Sequence, residues 1–197
     1  LVQGPAAGES FGRLAVGEHK DVIAAVVSVN GNVERTGRRA FYRLANEMAA
    51  AGGRLAGMMI TLYLPAGGSE DMIKDVMDEL VRLSAAYQVD ILGGHTEVLG
   101  ALSEPVLSLS GTGFAGKKTN VRSGGLKPGF DLVMTKWAGL SGVAELVGDE
   151  TRSGLRSRFT EGFLDQAAEG VQVMSSTADA EFAIAQGVTA LRSVGAK

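Results

Sequence analysis

The chain has 197 residues, of which 45% are hydrophobic and 21% are charged, a composition typical of a globular protein with a buried core. It contains no cysteine, which excludes disulfides, thiolate catalysis and metal centres held by cysteine. A net charge of −3 without a long basic run argues against nucleic-acid binding, and because no stretch approaches the ~20 apolar residues of a membrane span, we expect a soluble cytoplasmic protein.

The first half of the chain alternates short apolar runs with helical patterns. The pattern predicts strands over residues 22–29, 57–64, 89–92 and 105–110, and helices from about residue 37 to the Gly52–Gly53 pair and from Ser69 to about residue 87. Ser69 is a good N-cap, and the two acidic residues after it favour the positive end of the helix dipole. The predicted order is β-α-β-α-β-β.

The second half of the chain looks incomplete. Residues 117–129 are rich in glycine and show no periodicity, so they predict a linker between a first domain over residues 1–116 and a second over residues 130–197. The second domain is predicted to hold one strand, residues 130–135, and helices near residues 140–147, 160–169 and 177–186. Because one strand cannot form a sheet, this domain is expected to be partial.

Five consecutive residues after the third predicted strand could carry chemistry. They are Gly93, Gly94, His95, Thr96 and Glu97. The glycines predict a turn that approaches a phosphate closely, and the next three side chains could hold a metal ion or polarise an oxygen. The alternative is a strand-to-loop turn that only happens to carry polar residues.

Two further groups of polar residues allow a functional and a structural interpretation. Asn46 and Glu47 lie in the first predicted helix beside its apolar face, where they would either reach a ligand or point to solvent. Lys136 lies between a predicted strand and a helix, where a lysine and helix N-terminal amides would favour an anion. Alternatively, Lys136 is a surface residue and Trp137 fills a packing pocket.

A glycine motif in residues 111–116 (GTGFAG) has the glycine spacing of the dinucleotide-binding fingerprint but not its structural context. It follows a predicted strand, and Asp131 lies twenty residues beyond its first glycine. The sequence after it does not predict a helix, however, and the fingerprint needs one. We therefore reject a Rossmann site.

Four segments together resemble a known superfamily, in this order along the chain: AFYRLANEMAAAGGRLAGMMITLYLPAG, VDILGGHTEV, PVLSLSGTGFA and LKPGFDLVMTKWAGLSGVAEL. The sequence is similar to the PurM-like superfamily, which includes AIR synthase, hydrogenase maturation factor HypE, selenophosphate synthetase and thiamine-monophosphate kinase. It most resembles the HypE-like branch of AIR synthase related proteins. The resemblance implies an α+β N-terminal domain whose mixed sheet dimerises into a barrel, followed by a truncated α/β C-terminal domain.

The resemblance also implies a function and a site. Its members carry out ATP-dependent oxygen activation or phosphoryl transfer with magnesium, in a cleft where the N-terminal domains of a homodimer meet. The nucleotide-binding residues implied here are Gly4, Gly8, Asn46, Gly93, Gly94, Thr96 and Lys136. The metal ligands implied here are Glu9, Glu47, His95 and Glu97.

The sequence departs from the superfamily at the residues expected to bind metal. Ser10 stands where members have the Asp of a Gly-Glu-Asp motif, and Asn30 stands where they have the Asp of Ser-Thr-Asp-Pro. Glu47 stands where members have an Asp, which keeps the charge but makes the side chain longer. Loss of two carboxylates should weaken magnesium binding. The alternative hypothesis is therefore a non-catalytic dimerising relative that binds a partner or ligand without ATP turnover.

Overall fold

A computed structural model of the chain describes residues 10–18, 20–31, 36–116, 119, 121–148 and 152–195. The elements in chain order are β1 (Phe11–Ala15), β2 (Lys20–Asn30), α1 (Thr36–Ala50), β3 (Gly53–Leu64), α2 (Glu70–Tyr87), β4 (Asp90–Val98), β5 (Val106–Gly116), α3 (Leu140–Gly148), α4 (Arg152–Leu155), α5 (Glu161–Ala168), a 3₁₀ helix (Glu169–Val173) and α6 (Thr177–Ala185).

The strands form one mixed sheet in the order β1-β2-β5-β3-β4. β1 with β2, β2 with β5 and β5 with β3 are antiparallel, whereas β3 and β4 are parallel. From β2 to β5 the element order is the predicted β-α-β-α-β-β. The sequence did not predict β1, because a buried charge, Arg13, stands beside Phe11 on the inner face of this short strand and hides its apolar alternation.

Helices α1 and α2 cover one face of the sheet and form the core with it. Phe41, Leu44 and Met48 project from α1 and are fully buried, as are Leu107 and Leu109 of β5. These residues recur at helical spacing in α1 and at alternate positions in β5, so each element buries one face. This core is therefore built mainly by described residues between Phe11 and Ala115.

A helix cap and an aromatic contact hold the two helices in place. Ser69 caps α2 as predicted, its side chain accepting a hydrogen bond from the backbone N–H of Met72. The rings of Tyr42 in α1 and Tyr87 at the end of α2 pack edge to face. Burial, and then the charge that Tyr87 would carry, raise the pKa of Tyr42 above its ordinary value of 10.0.

In the second half of the chain, the structure confirms the predicted helices but not the predicted strand. α3, α5 and α6 lie where the pattern placed them, and α5 has Thr160 as its N-cap. Residues 130–135 form neither strand nor helix, and Leu132 and Val133 are 87% and 83% exposed. The prediction of a strand was wrong because a strand needs a neighbour to satisfy its backbone, and the described residues provide none here.

The described helices include none that is both long and apolar enough to cross a lipid bilayer.

Candidate functional site

A cavity that contains charged residues forms where the residue before β1 meets the middle of α1. The hydroxyl of Ser10 donates a hydrogen bond to the Oε2 atom of Glu47. These two residues, together with Arg43 one helical turn earlier, form one wall of a cavity of about 240 Å³. Its other described lining residues are Arg192, Ser193, Val194 and Gly195, the C-terminal segment. We refer to this space as the arginine cavity.

The described lining residues of the arginine cavity include two arginines and one glutamate, so their summed formal charge is positive. Arg43 also donates a hydrogen bond from Nη1 to the carbonyl of Ser28, at 3.3 Å, which steadies it against β2. No motif indicated either arginine. The available signal was the spacing of Arg43 and Glu47, which places both on one helix face, but nothing in the sequence links them to Arg192.

The side chain of Asn46, which was predicted to bind nucleotide, forms two hydrogen bonds with the backbone of a distant segment. Its Nδ2 donates to the carbonyl of Met174 at 2.9 Å, and its Oδ1 accepts from the backbone N–H of Ser176 at 2.8 Å. These bonds attach α1 to the segment that leads into α6. The structure therefore gives this amide a structural role, beside the cavity wall formed by its neighbour Glu47.

Gly93 to Glu97 lie within β4, so the predicted turn was wrong. Gly94 pairs with Ile60 of β3, and a Cβ atom built at Gly94 would overlap the carbonyl oxygen of Ile60. Close approach of two strands therefore requires this glycine, without any ligand. Farther along β4, Nε2 of His95 lies 3.1 Å from Oε2 of Glu97, and both side chains are exposed.

The sheet separates this strand from the arginine cavity. β4 and β1 are the two opposite edges of the sheet, and four strand spacings of about 4.8 Å place them roughly 19 Å apart. Within one chain, His95, Thr96 and Glu97 therefore do not join Ser10, which immediately precedes β1. A common site for these residues would need a second copy of the chain.

Lys136 lies near α6 in the described part of the second half. Its backbone has a φ of 65°, in the left-handed region, and its Nζ atom lies 3.2 Å from Oδ2 of Asp179 in α6. The lysine is therefore already paired with a carboxylate. Three other predicted site residues, Gly4, Gly8 and Glu9, lie outside the described residues.

The described residues around the arginine cavity do not fit magnesium. Glu47 is the one acid among its described lining residues, and it already accepts a hydrogen bond from Ser10. Asn30 donates to Glu104 at 2.6 Å instead of facing the cavity as a metal ligand would. Across the described chain, no three His, Asp or Glu side chains gather as a group that could hold a metal ion. Magnesium needs several oxygen ligands in octahedral geometry.

A larger cleft, of about 600 Å³, runs between α2 and the ends of β3 and β5. Asp71, Asp75 and Asp78 make its α2 wall acidic, although Arg82 also lines this wall. Glu79, in the same wall, accepts from the backbone N–H of Arg38 at 3.0 Å. An acidic wall repels phosphate groups, so this cleft is a poor site for a nucleotide.

The sheet with α1 and α2 defines the chain as a PurM-like α+β protein. The sequence model of the family described as AIR synthase related protein, N-terminal domain, matches residues 11–115, from β1 to β5. This chain therefore belongs to the AIR synthase related protein family, as the resemblance predicted. No curated protein matches it in sequence.

Solved structures share this fold at low sequence identity. AaThiL complexed with AMPPCP and TMP is 14% identical, with a TM-score of 0.72 over 89% of this chain and 56% of its own. Thiamine monophosphate kinase from Aquifex aeolicus is 15% identical, with a TM-score of 0.65 over 83% of this chain and 56% of its own. The protein tt0281 from Thermus thermophilus is 19% identical, with a TM-score of 0.57 over 77% of this chain and 49% of its own. The chain thus spans about half the length of these proteins.

Proposed function

We propose that this chain binds ATP or a similar nucleotide, with the phosphates held in the arginine cavity. The observation that carries the proposal is the cavity itself, in which hydroxyl and guanidinium groups meet beside Glu47. The family resemblance assigns the ATP phosphates to the segment that precedes β1 and to this helix position. The shared fold with AaThiL, whose structure was determined with AMPPCP, supports nucleotide binding.

The nucleotide site is proposed to be completed by a second copy of the chain. The face of the sheet opposite the helices exposes about half or more of the apolar side chains of Val26, Met59 and Phe114. A homodimer through this face, of the barrel type that the resemblance implies, would cover them. It would also bring β4 of one copy, with His95 and Glu97, toward the other copy.

We expect light scattering at increasing protein concentration to give the mass of a dimer. Replacing Met59 with glutamate, in the middle of the exposed face, is expected to shift the dimer toward monomer, because a charge would be buried in the interface without a partner. Val81→Glu is the matched control, since Val81 is equally exposed but lies on α2. A wild-type chain that stays monomeric at high concentration would contradict the dimer.

ATP turnover is a further step in this proposal. The resemblance to the HypE-like branch supports ATP-dependent oxygen activation or phosphoryl transfer in hydrogenase maturation. The competing candidate is a non-catalytic dimerising relative that binds a ligand or a protein partner. That candidate is favoured by the missing carboxylates, because Ser10 and Asn30 are neutral and each is bonded to a glutamate instead.

We expect isothermal titration calorimetry to show saturable binding of AMPPCP to the purified chain. A folded protein that binds no AMPPCP, with or without magnesium, would contradict nucleotide binding. The substitution Ser10→Asp then separates the two candidates. If the cavity descends from a magnesium site, a second carboxylate beside Glu47 should make AMPPCP binding depend on magnesium. No such gain would favour the non-catalytic relative.

A further inference from the structure

We infer that the arginine cavity binds a phosphate group directly on Arg43 and Arg192, without magnesium. This inference rests on the proposed function for the location of the phosphate. It adds that two arginines neutralise the phosphate charge at that place. The ligand class is a phosphate dianion, either free or at the end of a nucleotide. In a metal site, the ion bridges protein carboxylates and phosphate. Here the two arginines would neutralise the phosphate charge instead.

The charges in the cavity favour an anion over a cation. Two arginines and one glutamate are among the described lining residues. Within this described lining, a magnesium ion would be repelled by both arginines and would find Glu47 as its one charged ligand, whose Oε2 already accepts the hydroxyl hydrogen of Ser10. A phosphate dianion would be attracted by both arginines and, among the described lining residues, opposed by Glu47 alone. The described lining therefore has the opposite sign from that of a metal site.

The fold brings the two arginines to the cavity from distant parts of the chain. Arg43 projects from α1 on the same face as Glu47, and its Nη1 is bonded to the carbonyl of Ser28 at 3.3 Å. Arg192 arrives on the C-terminal segment, which packs so closely that a Cβ atom at Gly195 would lie 3.6 Å from Nε of Arg43. The preceding residues are fastened by a hydrogen bond of 3.0 Å from the N–H of Arg122 to the carbonyl of Thr189.

Phosphate is the anion that such an arrangement suits. The guanidinium fork offers paired N–H donors that match two oxygens of one phosphate. A tetrahedral phosphate presents further oxygens on its other side, so arginines on two walls can contact it together, and Ser193 adds a hydroxyl to the same lining. The volume of about 240 Å³ exceeds that of a single phosphate group and leaves an opening for the rest of a ligand.

The first experiment titrates inorganic phosphate into the purified chain by calorimetry in excess EDTA, which removes divalent metal. We expect saturable binding. Arg192→Gln is expected to weaken it roughly tenfold, because it removes a charge-assisted hydrogen bond from a solvent-accessible segment that the core does not depend on. Arg192→Lys should retain part of the affinity. Arg156→Gln is the matched control, since Arg156 forms an exposed ion pair with Glu161 and does not line the cavity.

The second experiment uses Glu47→Gln, for which the two kinds of site predict opposite signs. In an anion site, removing the carboxylate removes a repulsion, so phosphate should bind several-fold more tightly in EDTA. In a metal site, the same change removes a ligand, so magnesium-dependent AMPPCP binding should weaken. Circular dichroism of each variant checks that the fold is retained.

The outcomes separate this inference from the proposed function. Phosphate binding in EDTA that is weakened by Arg192→Gln and strengthened by Glu47→Gln supports the inference. If AMPPCP also binds in EDTA and competes with phosphate, the phosphate is that of a nucleotide. If AMPPCP binds neither in EDTA nor with magnesium, the site takes free phosphate and nucleotide binding fails. If AMPPCP binds only with magnesium and phosphate does not bind in EDTA, the inference is overturned while nucleotide binding stands.

Discussion

Replacing Arg13 with methionine is expected to lower the free energy of unfolding by about 3–5 kcal/mol, because it leaves a buried carboxylate without its cation. Arg13 and Asp21 are 5% and 3% exposed, and the Nε–Oδ2 distance between them is 2.7 Å. The guanidinium also donates to the carbonyls of Thr119 at 2.6 Å and Gly116 at 2.8 Å. One side chain therefore joins β1, β2 and the chain that leaves β5.

Urea unfolding of the wild type and the variant measures this loss as a lower midpoint at unchanged m-value. Arg54→Met is the control, because the ion pair of Arg54 with Glu181 is largely exposed and should contribute at most about 1 kcal/mol. The double variant Arg13→Met with Asp21→Leu removes both charges and should recover much of the loss. A single variant as stable as the control would mean that this pair does not hold β1 in place.

Replacing Gly113 with alanine is expected to cost about 3 kcal/mol or more, because the new methyl group has no space in the middle of the sheet. A Cβ atom at Gly113 would overlap the carbonyl oxygen of Arg54, and it would lie 3.0 Å from Cε of Met48. Gly113 belongs to β5, which is paired on both sides, so neither neighbour can move away without breaking its own hydrogen bonds. The strand would have to shift or bulge.

Gly162→Ala provides the comparison for Gly113→Ala, measured by the same urea unfolding. Gly162 lies in α5 with no atom within 4 Å of a Cβ built on it. Alanine there should leave stability unchanged or raise it by roughly 0.5–1 kcal/mol, because it loses less entropy than glycine in a helix. If both variants lose the same stability, the cost would come from glycine replacement in general instead of from the contact with Arg54.

The glycines illustrate how the sequence misleads about a site. The pairs and motifs at residues 93–94 and 111–113 have the appearance of phosphate-binding turns, but both lie in strands. At Gly94 and Gly113 the reason for glycine is the approach of a neighbouring carbonyl, and that approach depends on strand pairing. At residues 93–94 the pattern alone could not tell a glycine needed for a ligand from one needed by an adjacent strand, whereas at residues 111–116 the missing helix already excluded a dinucleotide site.

The sequence by itself determined the elements whose causes are local. The apolar stripe of α2 and its cap at Ser69 fixed that helix, and the glycines at residues 52–53, of which Gly52 has a φ of 80°, ended α1. Alternating or continuous apolar residues fixed the strands from β2 to β5, although all four run farther than predicted. The order of the motifs was enough to indicate the family, which the match over residues 11–115 confirms.

Only the tertiary structure decided what depends on partners distant in sequence. Residues 130–135 have the composition of a strand but stay unpaired, because no described strand lies beside them. β1 becomes a strand although its inner face carries Arg13, because Asp21 and two carbonyls satisfy that charge. The arginine cavity joins residues about 150 positions apart, Arg43 and Arg192, and its charge follows from their meeting, which no local pattern encodes.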